Sequence, residues 1–204
     1  MINLKELLTG DVTRLRYIVR YSTCRRHHNE SVAEHSFYVA LYSAMLAEVA
    51  VSKMLHVNWR KVMMGSTFHD LEESLTGDFP RSFKYSTPEL SHVISAAAEK
   101  NIMELFSKVN PGYEAGWWSF WTHAKDDSLE GRIVELADFL SVVSYMYQEL
   151  KAGNLAILEH IDSMREYAAI FEALEFSPFK QIIDQLPEML DYLTGEKPYV
   201  GISG

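Results

Sequence analysis

Phe68-His69-Asp70-Leu71-Glu72-Glu73-Ser74-Leu75-Thr76-Gly77-Asp78-Phe79-Pro80 joins an apolar run to a turn through a His-Asp pair. Upstream, Asn58 can cap a helix over residues 59–74 whose apolar positions include Val62, Met63 and Phe68. Residues 75–80 have the composition of a loop. An Asp within an apolar helix segment is costly to bury unless something positive offsets it. For a His and an Asp together, that partner is most often a divalent cation. Taken alone, the dipeptide reads more readily as a capped or solvent-facing pair.

Outward from this stretch, helical spacing continues almost everywhere. Asp11 can cap a first helix running through Leu15, Ile18 and Val19. Ser31 and Glu34 form a capping-box pattern, and the helix it opens carries His35, Val39, Tyr42 and Leu46 on one face. Pro88 fits the first turn of a helix over residues 88–109, which Asn110-Pro111-Gly112 stops. Trp117, Trp118, Phe120 and Trp121 cluster before His123. Ser128 can cap a long helix that ends near Gly153, and further helices are expected around residues 155–174 and 179–193. No period-2 strand, internal repeat or low-complexity segment stands out. The expected fold class is all-α, one domain, with helices packed around a central site.

Composition narrows the function. The chain has 204 residues and a net charge of −9, with no basic stripe, which argues against gripping a nucleic-acid backbone. The cluster Arg25-Arg26-His27-His28 is short and suits at most one phosphate group. No apolar stretch approaches a membrane span, and residues 1–9 lack the pattern of a secretory leader, so no membrane partner is expected. Cys24 is the only cysteine, which suits a reducing cytoplasm.

Two further positions extend the His-Asp pair. His35 lies in the first turn of the capping-box helix, on its apolar face, where a satisfied core histidine is the commoner reading. Asp138 sits in Ile133-Val134-Glu135-Leu136-Ala137-Asp138-Phe139-Leu140, inside a long helix, a poor place for Asp. Its neighbours Val134, Ala137, Leu140 and Ser141 suggest an inward face. A surface Asp shared with Arg132 and Glu135 remains open. Together, two imidazoles and two carboxylates from three helices make a mixed nitrogen and oxygen donor set. That set suits one Mn, Fe, Co, Ni or Zn ion rather than Ca.

The series His35, His69-Asp70, Asp138 resembles the H…HD…D signature of the HD-domain phosphohydrolase superfamily. Within it, the closer likeness is to YfbR-like 5′-deoxynucleotidases, which the chain resembles through residues 31–36, residues 68–80, and Leu136-Ala137-Asp138 with Lys151-Ala152-Gly153-Asn154 behind it. The likeness implies a single HD domain over residues 1–204, with its core in about residues 10–175 and a C-terminal helical tail. That tail would span about residues 176–204. The likeness also implies that His35, His69, Asp70 and Asp138 hold one divalent transition-metal ion, and that the substrate is a small nucleotide. Glu73, four positions after His69 and on its helix face if the helix continues, would position or deprotonate the attacking water. Glu72 beside it is expected to be exposed. Arg20 would bind the substrate phosphate, though it equally suits a helix C-terminus. Tyr21, where better-known members carry Trp, would pack against sugar or base, or else join the core. Asp78 would contact the sugar and disfavour a ribose 2′-hydroxyl, though it also suits a turn after Gly77. Lys84 is either a phosphate contact or a solvated lysine. A homodimer is also implied, and residues 117–121 would serve its interface or the core.

The same metal site would also serve a dNTP triphosphohydrolase, as in phage dATP hydrolases, with Arg25, Arg26, His27, His28, Arg81 and Lys84 as candidate contacts to the longer phosphate chain. A guanosine tetraphosphate hydrolase carries paired acids as HDxxED, and Ser74 here replaces the second. A non-catalytic sensor on the same scaffold would be expected to have lost a ligand, and none is missing.

Overall fold

The computed structural model describes residues 1–173, 177–196 and 198, and these are helical with no strand. The first helices are α1, Leu4–Thr9, at the periphery, and α2, Val32–Ser52, and α3, Trp59–Phe68, at the centre. The short α4, Glu73–Thr76, and α5, Arg81–Lys84, follow, then the long α6, Pro88–Val109, and α7, Glu114–Thr122. The second long helix of the centre is α8, Leu129–Lys151. A 3-10 turn, Leu155–His160, leads into α9, Ile161–Ala173, and α10, Lys180–Ile183, and α11, Leu186–Thr194, close the described chain.

Local chemistry accounts for most of these boundaries. Ser31 accepts from Glu34 N while the Glu34 side chain reaches back to the Ser31 N–H, so α2 begins with the expected capping box. Thr87 caps α6, Asn58 caps α3 and Ser128 caps α8, each through its side-chain oxygen. Gly153, at φ 89°, takes the left-handed position that ends α8. The main core joins α2, α3 and α8 to α9, α10 and α11, through Val39, Leu46, Val62, Ile133, Phe139, Phe171, Ile183 and Leu190. The C-terminal helices are therefore part of the main core. A second core lies under α6 and α7, with Leu15, Leu71, Ile102 and Phe106 at its centre and Trp117, Trp118 and Trp121 packed against it. These tryptophans are thus at least partly core residues.

Several expected elements differ. Asp11 does not cap a helix reaching Val19. Residues Asp11–Arg16 form a 3-10 turn after the unforeseen α1, and the chain then becomes extended. Val19 pairs with Ser31 in an isolated antiparallel bridge, and the N–H groups of Val32 and Arg20 go to Ile18 O and Glu30 O. Backbone groups committed to that bridge cannot propagate a helix. The helix expected over residues 59–74 stops at Phe68, and three-residue hydrogen bonds replace the helical ones from Leu71 N onward. The segment expected over 155–174 begins as the 3-10 turn, and Leu174 lies outside the described residues. The last expected helix breaks between Ile183 and Leu186, ahead of Pro187.

Candidate active site

The break after α3 brings His69 and Asp70 to the same place. Adjacent residues in a continuous helix diverge by about 100° around its axis. Here the tight turn sets His69 Nε2 and Asp70 Oδ2 3.1 Å apart. His35, fully buried on α2, brings its Nε2 to 3.3 Å from His69 Nε2 and 3.5 Å from Asp70 Oδ2. Asp138 on α8 reaches the group from the His35 side, with Oδ1 3.0 Å from His35 Nε2. Ligand atoms of His35, His69 and Asp70 lie within 4.8 Å of one another, and Asp138 stands just outside that triad.

The outer nitrogens of both rings explain which way they face. His69 Nδ1 lies 2.8 Å from the Ser66 carbonyl oxygen, which can only accept, so Nδ1 carries a proton, and in the neutral ring that a metal would require Nε2 presents the lone pair. His35 Nδ1 is 3.0 Å from Ser141 Oγ, one turn along α8 from Asp138. Two imidazole nitrogens and carboxylate oxygens thus converge in a buried space, an arrangement that repels itself unless a cation or protons intervene. This donor set fits a divalent transition metal. Burial alone would raise the Asp70 carboxyl, but the His69 charge and the His35 hydrogen bond hold it well below the usual range. Asp138 is likewise held well down against burial, chiefly by Lys125 and His35.

Lys125 is an unforeseen member. Its Nζ lies 2.6 Å from Asp138 Oδ2. It lies in the turn between α7 and α8, where no periodicity marks it. Gly131 allows that turn to fold over the start of α8, since a Cβ there would overlap the Asp126 backbone.

Around this centre stand the other expected residues. Arg20 is mostly buried, its Nη1 2.8 Å from Glu30 Oε2, and it is not at a helix C-terminus. Its charge acts on His35, Glu73 and Asp78, and those of Asp70 and Asp138 act on it. Glu30, its partner across the bridge, gave no signal in the sequence. Tyr21 takes φ 54° and stacks on Tyr145 at 4.8 Å between centroids, and its hydroxyl is buried without a hydrogen-bond partner among the described residues. Its N–H donates to Asp78 Oδ2 at 3.3 Å, which ties the Asp78 loop to the Arg20 segment.

Glu73 opens α4, and its relation to His69 runs through the 3-10 turn, not along the shared helix face expected. Burial, then the charges of Asp70, Asp78 and Glu72, raise its carboxyl well above the usual range. Glu72 is buried, not exposed: Trp121 Nε1 donates to its Oε2 at 2.8 Å. A cleft opens beside the two acids, with Thr76, Phe79, Lys84 and Trp121 in its walls. Lys84 therefore borders the cleft next to Glu73 without touching the His and Asp cluster in the described contacts. The Arg25–His28 segment is fastened elsewhere. Arg26 Nη1 donates to the carbonyls of Tyr21, Ser22 and Cys24, and the His27 and His28 N–H groups donate to Glu149.

A profile of the family described as 5′-deoxynucleotidase YfbR-like matches residues 8–189. The chain belongs to the YfbR-like family. A 5′-deoxynucleotidase of Vibrio vulnificus is 31% identical over 147 residues, 70% of this chain and 74% of that protein. One of Pasteurella multocida is 30% identical over 175 residues, 78% and 88% of the two chains. In fold, this YfbR-like chain is similar to an HD-domain phosphohydrolase from Listeria innocua, at a TM-score of 0.75 and 23% identity, over 94% of this chain and 99% of that one. It is also similar to the HD phosphohydrolase of cyanophage S-2L, solved with dA and one catalytic Zn2+, at a TM-score of 0.56 and 18% identity, over 93% and 97%. The all-α HD-domain fold expected from the sequence is thus the fold of the YfbR-like chain. No helix among the described residues is long and apolar enough to cross a membrane.

Proposed function

We propose that this chain is a metal-dependent 5′-deoxynucleotidase, hydrolysing deoxynucleoside 5′-monophosphates to deoxynucleoside and phosphate. The observation that carries the reading is the convergence of His35, His69, Asp70 and Asp138 from three distant segments, within the electrostatic reach of Arg20. In this reading those four residues hold one ion of the Mn, Fe, Co, Ni or Zn class. A divalent ion held there supplies Lewis acidity toward the phosphoryl group and acidifies water.

The chain's own residues do the rest. Arg20, already anchored by Glu30, offers its remaining N–H groups to the phosphate oxygens and offsets charge that grows there during the reaction. Glu73, acting as the carboxylate, takes a proton from the attacking water, and the burial and neighbouring charges that raise its carboxyl make it a stronger base. As the phosphorus–oxygen bond to the sugar breaks, the departing 5′-oxygen takes a proton from solvent and Glu73 returns its own to solvent, which restores the carboxylate. Asp78 accepts a hydrogen bond from the sugar and, held close by the Tyr21 N–H, crowds a 2′-hydroxyl. Tyr21 packs against the nucleoside, and Lys84 lines its approach.

The triphosphohydrolase alternative has less support. It needs free cations near the entrance, whereas Arg26 is spent on loop carbonyls and Arg81 lies over Tyr85 and Tyr167. The whole chain is read as one HD domain, working in the cytoplasm, where an unpaired cysteine is at home. The homodimer is retained, with the exposed stripe Phe37, Leu41 and Met45 on α2 as its surface.

The deciding experiment is a release assay over deoxynucleoside and ribonucleoside mono- and triphosphates, each with Mn2+, Co2+, Mg2+ and Zn2+. Phosphate from deoxynucleoside monophosphates, with little from ribonucleotides, is expected. Triphosphate release from a dNTP with no phosphate from monophosphates would overturn the reading.

A further inference from the structure

We propose a second metal site, formed by Cys24, Glu159 and His160 and sharing no residue with the first. Cys24 lies in the segment between Arg20 and α2, while Glu159 and His160 end the 3-10 turn that leads into α9. Cys24 Sγ is 3.3 Å from His160 Nε2, and that same nitrogen is 3.4 Å from Glu159 Oε1. All three candidate ligand atoms lie within 4.8 Å of one another.

The two spacings to His160 Nε2 are those of a tetrahedral edge. With bonds of about 2.3 Å to sulfur and about 2.0 Å to nitrogen and oxygen, neighbouring ligand atoms sit roughly 3.3–3.6 Å apart. A ring nitrogen carries either a proton or a lone pair. It cannot accept from the thiol and donate to the carboxylate at once, whereas a cation satisfies all three groups together. A single Nε2–H shared between sulfur and oxygen is the metal-free alternative. The combination of thiolate, imidazole and carboxylate selects an ion of the zinc class. Cys24 and His160 are half-buried and Glu159 is exposed, so an ion can arrive from solvent and keep a water in its fourth position. Binding displaces the Cys24 thiol proton to solvent, so affinity rises with pH.

The placement gives such an ion a structural consequence. Cys24 follows Arg20 and Tyr21 closely in the chain. From the α8 side this segment is already held by Asn154, which donates to Arg25 O, and by Glu149. An ion on Cys24 would fasten it to the start of α9 as well.

The test uses full-length protein stripped with a chelator and titrated with Co2+. A sulfur-to-cobalt charge-transfer band in the near ultraviolet requires a thiolate ligand. The His and Asp site has none, and Cys24 is the chain's only cysteine, so the band reports this site alone. Wild type is expected to bind two equivalents and show the band. Cys24→Ser should bind one equivalent and show none. His69→Ala should also lose one equivalent yet keep the band. His160→Gln should need at least ~10-fold more Co2+ to develop it. Circular dichroism establishes that each variant is folded, and protection of Cys24 from alkylation by Zn2+ gives a readout in unmutated protein. Absence of the band at saturating Co2+, unchanged affinity in His160→Gln, or no protection by Zn2+ would overturn the proposal. None of these outcomes bears on the nucleotidase reading.

Discussion

Glu73 Oε2 is buried with no hydrogen-bond partner among the described residues, and burial together with neighbouring carboxylates favours its protonated form. A carboxyl so placed is expensive for the fold, a cost in keeping with the proton-transfer role proposed for it. Glu73→Gln keeps shape and removes that chemistry. It should retain metal, measured by elemental analysis, while kcat falls by about 10²–10⁴-fold. Near-normal turnover in this variant would strip Glu73 of the role. Arg20 makes a complementary case. Its Nη1 is held by Glu30, which would orient the guanidinium for the phosphate contact proposed for it. Lysine at this position keeps the charge but loses the planar fork. Arg20→Lys should therefore lower kcat/KM toward deoxynucleoside monophosphates by about 10²-fold or more. Equally weakened binding of a deoxynucleoside, which lacks the phosphate, would point to a folding defect.

Above the single side chain, the segment between the Val19 bridge and α2 is the element that delivers Arg20 and Tyr21, and Glu149 fixes it. This fully buried carboxylate on α8 accepts from His27 N at 2.7 Å, His28 N at 2.8 Å and Asn154 Nδ2 at 2.6 Å. Burial opposes its charge, but these donors win and hold its pKa below the ordinary value. The linkage sign follows. The folded state binds this proton less readily than the unfolded chain, so the stabilisation is complete above the unfolded pKa of about 4.3. It is lost as pH falls through the lower folded value. Glu149→Gln should cost about 1–3 kcal/mol at pH 7, because an amide sets N–H groups against donors. Urea melts should show the gap between wild type and variant closing below about pH 4. A gap independent of pH would mean that the charge is immaterial. The capping box at Ser31 and Glu34 was legible because it is local, as were the cap at Ser128 and the stop at Gly153. Glu149 was not, since its partners His27 and His28 lie more than a hundred residues away and its own helix end looks ordinary. The break after Phe68 was hidden for another reason: residues 69–74 carry no Gly or Pro, and only the hydrogen-bond pattern reveals the turn. His35, His69, Asp70 and Asp138 could be picked out by type and spacing. Lys125 could not, because a loop residue has no period to betray it.

At the scale of the molecule, the four candidate ligands come from α2, the turn after α3, and α8, the helices that share the main core. Without a cation, lone pairs and carboxylates face one another there, with Lys125 and the imidazole protons as the compensation on hand. An ion bound by the folded state alone stabilises it through mass action, by about 2.7 kcal/mol at a hundredfold excess over Kd. For a chain of this length that corresponds to a rise in Tm of roughly 5–10 °C. Mn2+ is the suitable probe, since it favours oxygen and nitrogen donors and has little affinity for a thiolate. Chelated wild type should melt lower, and Mn2+ should restore the difference in scanning calorimetry. Asp138→Ala removes a carboxylate from the set and should respond weakly or not at all. Cys24→Ser leaves the set whole and should respond like wild type. An equal rise in Asp138→Ala would place the stabilising ion somewhere other than between these helices. The nucleotidase mechanism would then lack its centre, even with every motif intact.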